Sequence, residues 1–115
     1  MLKDDPVRLR HMLDAAREAA SFVVGKTKDD LFRDRMLVLS LTKEIEIIGE
    51  AANKVSKEIR AKYVGISWED VIDMRHHLVH VYFDVDLNIL WDTVTKDLPP
   101  LIAELEKIIA AEDRS

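Results

Sequence analysis

Six apolar residues, Leu41, Ile45, Ile48, Ala52, Val55 and Ile59, follow one another at steps of 4, 3, 4, 3 and 4. That spacing returns every side chain to one face of a helix and to no single face of a strand. Thr27 and Asp30 stand at capping-box distance upstream. Together they predict one helix from near Thr27 to about Tyr63, ahead of Gly65. Such a helix would run on the order of 50 Å, more than a domain of 115 residues needs for its own core. Part of the seam is therefore expected to pack on another chain. Gly49 interrupts the seam beside Ala51 and Ala52. Glycine there costs about 1 kcal/mol against alanine, which a close approach of another backbone would explain.

The remaining chain keeps the helical period. Asp5 and Pro6 read as a capping acid followed by proline at the first helical position. Leu9, Met12, Leu13, Ala16, Ala20 and Val23 then form one apolar face, closed by Gly25. A third helix is signalled by Ser67 and Asp70 with Trp68 between them, and Val71, Met74, Leu78 and Val81 make its apolar face. It is expected to end near "YFDVD", where Asp84 or Asp86 caps a fourth helix carrying Leu87, Leu90, Trp91, Val94 and Leu98 inward. Pro99-Pro100 should kink or break that helix before Leu101, Leu105 and Ile108 continue its stripe. Three glycines and three prolines leave few turns, and no strand alternation, repeat or linker is found. The expected fold is all-α, an antiparallel up-down four-helix bundle forming a single domain over residues 1–115.

With 48% apolar and 34% charged residues, the composition is that of a soluble globular protein. The absence of cysteine excludes a disulfide scaffold and a Cys-based zinc site. No apolar run approaches the roughly 18 residues of a spanning helix. Asp4 and Asp5 stand where a signal peptide would be apolar. A cytoplasmic protein without a membrane partner is expected. The formal net charge of −5 argues against broad, charge-driven binding of nucleic acid and leaves room for a local cationic groove.

Chemistry gathers in one place. "GKT" at 25–27 resembles the end of a phosphate-binding loop, but position 20 is alanine where that loop needs glycine, so it reads as a helix end. His11 reads as a surface or partly buried histidine. "DMRHHLVHVYF", residues 73–83, holds Arg75, three of the four histidines and Tyr82. His76 and His80 lie about 40° apart on a helix and could share a metal, but a third ligand is not evident and no metal or cofactor is expected. A merely solvated polar face is the bland alternative. Arg75 and His80 offer a different chemistry, since histidine exchanges protons near neutral pH and arginine grips phosphate oxygens. On a straight helix, however, they stand about 140° and about 7.5 Å apart. Fraying of the helix end, or a second copy across a two-fold axis, would relieve that separation.

These residues resemble the HEPN superfamily and, within it, the HepT-like ribonuclease toxins of HepT/MntA type. The signature is an arginine, four to six residues, then a histidine, met by Arg75-x4-His80; the HepT branch adds a tyrosine two positions on, met by Tyr82. "IGEAA" at 48–52, "ISWEDVIDMR" at 66–75, "YFDVD" at 82–86 and "LWDTVTKDLPPL" at 90–101 match as well, so the resemblance covers nearly the whole chain. Two positions depart from it: His76 replaces the usual asparagine after the arginine, and Val81 replaces a frequent glycine. The resemblance implies a homodimer whose paired motifs cut RNA, with tRNA the expected class, without metal. It implies Arg75 and His80 as the catalytic pair, His76 as support, and Tyr82 as the acceptor of AMP. The donor would be a partner minimal nucleotidyltransferase, an MntA-like antitoxin. The alternative it allows is a non-catalytic substrate- or nucleotide-binding subunit of a two-component nucleotidyltransferase.

Overall fold

The computed structural model describes residues 4–79 and 84–114. They form an all-α bundle whose helical segments run in chain order as α1 (Asp5–Phe22), α2 (Lys28–Leu31), α3 (Arg35–Lys54), α4 (Lys57–Lys62), α5 (Trp68–Ile72), α6 (Met74–Leu78), α7 (Leu87–Asp92) and α8 (Leu98–Asp113). A π-helical turn, Thr93–Asp97, joins α7 to α8. Helix α1 packs on α3 and α8, while α5 and α6 lie across α3. Among the described residues no helix is long and apolar enough to cross a membrane.

All six seam residues are buried, none more than 1% exposed. They share one core with Leu9, Met12, Leu13 and Ala16 of α1 and with Leu90, Val94, Leu98, Leu105 and Ile108 from the last helical stretch. Each Leu, Ile, Val or Met among them contributes roughly 1.5–3 kcal/mol by leaving water, and each alanine less. The expectation that part of the seam packs on another chain is therefore corrected: the seam is the centre of this chain's own core.

The single helix from Thr27 to Tyr63 is corrected too, because it is broken twice. After α2 the Asp34 carboxylate accepts the Leu37 N–H at 3.1 Å and starts α3 afresh. At the other end Val55 and Ser56 are extended, and Ser56 Oγ accepts the Ile59 N–H at 3.3 Å to begin α4. Asp5 holds this second break. Its buried carboxylate accepts the Ser56 N–H at 2.9 Å and the Ser56 hydroxyl at 2.7 Å. The acid expected to cap α1 instead clamps the start of α4. Across the bend, both Val55 and Ile59 remain in the core.

Other local signals act as expected. The Asp30 carboxylate accepts the Thr27 N–H at 2.7 Å, and Asp86 accepts the Ile89 N–H at 3.0 Å, capping α7. Pro99 and Pro100 lack the N–H that a helix interior needs. The π-turn just before them widens the ladder by one residue and lets both fall in the first turn of α8. Near the other end of α8, Glu112 accepts Lys62 Nζ at 2.8 Å and the Tyr63 hydroxyl, tying α4 to α8.

One buried acid stands apart. Glu44 on α3 is 5% exposed, and its Oε2 has no hydrogen-bond partner among the described residues. Burial, then the neighbouring Glu18 carboxyl of α1, push its pKa up to about 7. The folded state thus holds a proton that the unfolded chain releases near 4.5, so stability falls as pH rises across that window and levels off above 7. Glu44→Gln should remove this slope and stabilise the fold at pH 8 by on the order of 1–3 kcal/mol. Urea melts of both proteins at pH 5 and pH 8 check it; an unchanged slope in the variant would assign the pH dependence elsewhere.

Candidate functional site

Gly49 decides where Arg75 sits. A Cβ placed on Gly49 would lie 3.0 Å from the Ile72 carbonyl oxygen and 3.4 Å from that of Val71. The backbone expected to approach at this point is thus the end of α5. Trp68 fixes the other end of α5: its buried indole donates to the Tyr63 carbonyl at 2.9 Å. The chain turns at Asp73, whose carbonyl accepts the His76 N–H at 2.9 Å in the first turn of α6. The third helix is therefore two short helices, α5 and α6, rather than the single one expected.

Helix α6 carries Arg75 against α3. Arg75 Nε stands 3.4 Å from Glu46 Oε2, with both side chains about one-third exposed. Lys43 Nζ approaches the other Glu46 oxygen at 3.6 Å. A pair so open to water contributes at most about 1 kcal/mol to folding, so its main effect is orientation. Glu46 approaches Arg75 at Nε, and among the described residues the two terminal nitrogens of the guanidinium fork meet no partner, which leaves them facing an anion's oxygens. Around the pair lies an open groove of about 250 Å³ lined by Ile45, Glu46, Gly49, Glu50, Asn53, Ile72, Arg75 and His76. The His76 ring is exposed, its Nδ1 3.8 Å from Asp73 Oδ1. His77 is exposed and lines no part of the groove.

His80, Val81 and Tyr82 lie outside the described residues, and with them the expected modification site and half of the expected catalytic pair. Their neighbours are described. Helix α6 ends at Leu78, and Val79 is extended, with φ −107° and ψ 113°. Val79 forms an isolated antiparallel bridge with Val85, and the Asp86 N–H donates to the Leu78 carbonyl at 2.8 Å. The straight helix expected to continue from Arg75 thus already ends at Leu78.

The chain matches the Ribonuclease HepT-like family over residues 12–108. It belongs to the HepT-like ribonuclease family. It is 33% identical over 104 residues to a "Putative RNase" of Caldanaerobacter subterraneus subsp. tengcongensis, covering 90% of this chain and 93% of the relative. It is 34% identical over 80 residues to the "Probable ribonuclease HepT" of Thermococcus cleftensis, 70% of this chain and 73% of that one. A "Gamma-glutamylcyclotransferase and putative RNase" of Methanocaldococcus jannaschii is 37% identical over 115 residues; this chain spans all of its own length there and about half, 52%, of the relative's. No solved structure gives a significant match.

Within this HepT-like chain, sequence reasoning had no role for Glu46, Glu50 and Asn53. Their spacing of 4 and 3 is a second stripe on α3, offset from the buried seam. That stripe was the available signal. Gly49→Ala should test the packing that builds the groove. The added methyl meets a backbone carbonyl, and overpacking of about 1–3 kcal/mol should outweigh the roughly 1 kcal/mol that alanine gains in a helix. A denaturant midpoint below the wild type's is expected; an equal or higher one would contradict the close approach.

Proposed function

We propose that this HepT-like ribonuclease is the toxin of a toxin–antitoxin pair, a metal-independent endoribonuclease acting on RNA, with tRNA the expected substrate class. The observation that carries this reading is Arg75, placed beside Glu46 at a groove with its fork unpaired among the described residues, five positions before His80 in a ribonuclease-family chain. His80 takes the proton of a ribose 2′-hydroxyl. The 2′-oxygen then attacks the adjacent phosphorus while Arg75 neutralises charge on the non-bridging oxygens. The bond from phosphorus to the 5′-oxygen breaks, and that oxygen leaves with a proton. A homodimer brings a second Arg75 and His80 to the same cleft, so one histidine acts as base and the other as acid. His76, beside Arg75 in the groove, supports the site.

Control is assigned to Tyr82, two positions from His80. A partner nucleotidyltransferase would join its phenolic oxygen to the α-phosphorus of ATP and release pyrophosphate. The attached AMP adds bulk and negative charge where an anionic RNA backbone must enter.

Cleavage of tRNA in the presence of EDTA should persist for the wild type. It should fall about 10²–10⁴-fold for His80→Ala and about 10²–10³-fold for Arg75→Ala, with a smaller loss for Glu46→Gln. Equal activity in wild type and both alanine variants would sink the assignment. Incubation with the cognate nucleotidyltransferase and ATP should add the mass of AMP to the tryptic peptide that contains Tyr82 and silence the enzyme. Mass appearing elsewhere, or Tyr82→Phe being silenced all the same, would remove the switch from this tyrosine.

A further inference from the structure

The groove beside Arg75 is acidic for a site that must receive an anionic polymer. Of its two carboxylates, Glu46 is engaged by Arg75 and approached by Lys43. Glu50, one turn further along α3, is exposed on the groove wall. A free carboxylate repels phosphate and, being acceptor-only, rewards a partner with N–H donors. The apolar lining of the groove is Ile45, which is buried, the Gly49 backbone against the Ile72 carbonyl, and the half-buried Ile72. At about 250 Å³ it is smaller than the roughly 300–1,000 Å³ of sites for drug-sized ligands, and it suits one planar ring system.

We infer that this groove is a base subsite for guanine in the RNA substrate, an inference that rests on the ribonuclease reading. Protein recognition of single-stranded RNA works through splayed bases, held by stacking and by hydrogen bonds to their Watson–Crick edges. Guanine alone among the four bases presents two adjacent donors there, N1–H and the N2 amino group. They match the two oxygens of one carboxylate. Adenine and cytosine offer an amino donor next to a ring acceptor, which a carboxylate opposes, and uracil has a single N–H between two carbonyls. Asn53, three residues beyond Glu50 on the same wall, can donate its amide N–H to guanine O6. Arg75 at the other end of the groove then meets the phosphate attached to that nucleotide. Glu50 is thus a specificity residue, and Arg75 serves the phosphate.

Titration of the full chain with 5′-GMP and with 5′-UMP, followed by NMR, separates base from phosphate because both probes carry the same anionic group. GMP should bind at least about tenfold more tightly, a difference of roughly 1.4 kcal/mol, and should shift the Gly49 and Asn53 amides. Glu50→Gln should abolish the preference, with UMP bound no more weakly than by the wild type, whereas Glu69→Gln, an exposed acid on α5 outside the groove, should keep it. Equal affinity for the two nucleotides, or a preference that survives Glu50→Gln, would overturn the subsite. The readout needs no cleavage. A wild-type chain that selects GMP but cuts no RNA would uphold the subsite and count against the nuclease reading alone. One that cuts RNA without favouring guanine would count against the subsite alone.

Discussion

The contact between the backbones of α3 and α5 at Gly49 is the constraint on which the site depends. Any side chain there would meet the Ile72 carbonyl at about the 3.0 Å limit. The glycine costs helix stability, and what it permits is the crossing that sets α6 along the outer wall of α3. Arg75 then falls beside Glu46, and Ile45, Gly49 and Ile72 line the groove. The core beneath is ordinary helix packing around Leu41, Ile45 and Ile48. The same helix therefore presents its buried seam inward and its second stripe, Glu46, Glu50 and Asn53, to the site.

Electrostatics sharpen this picture. A chain of net charge −5 cannot gather RNA by a general cationic surface. The proposed site relies instead on a few placed donors, of which the Arg75 guanidinium beside Glu46 is the one assigned. The Glu46 contact adds little to folding because water screens it. Its effect is on the orientation of the guanidinium.

How much of this was legible in the residues alone differs from element to element. The apolar face of the seam, the glycine needing a close neighbour, and the caps at Asp30 and Asp86 rest on local rules and appear as expected, whereas the seam's single continuous helix and its second-chain partner do not. The break at Val55–Ser56 was not legible, because it is held by Asp5 from fifty-one positions away. No local rule shows such a partner. The division of the third helix at Asp73 was missed for a similar reason: an apolar period continues across a turn when both short helices lie on the same neighbour. Arg75 could be named from the sequence, whereas its partner Glu46 required the fold. The halves of the motif beyond Val79 rest on the resemblance and on family membership.

The central claim is that the chain cuts RNA by attack of the neighbouring 2′-hydroxyl, without metal. Analysis of the ends left on cleaved tRNA in the presence of EDTA tests it most directly. The account predicts a 2′,3′-cyclic phosphate on one fragment and a 5′-hydroxyl on the other, and no cut at a site whose ribose carries a 2′-deoxy substitution. Fragments ending in 3′-hydroxyl and 5′-phosphate, formed only when a divalent cation is supplied, would contradict it.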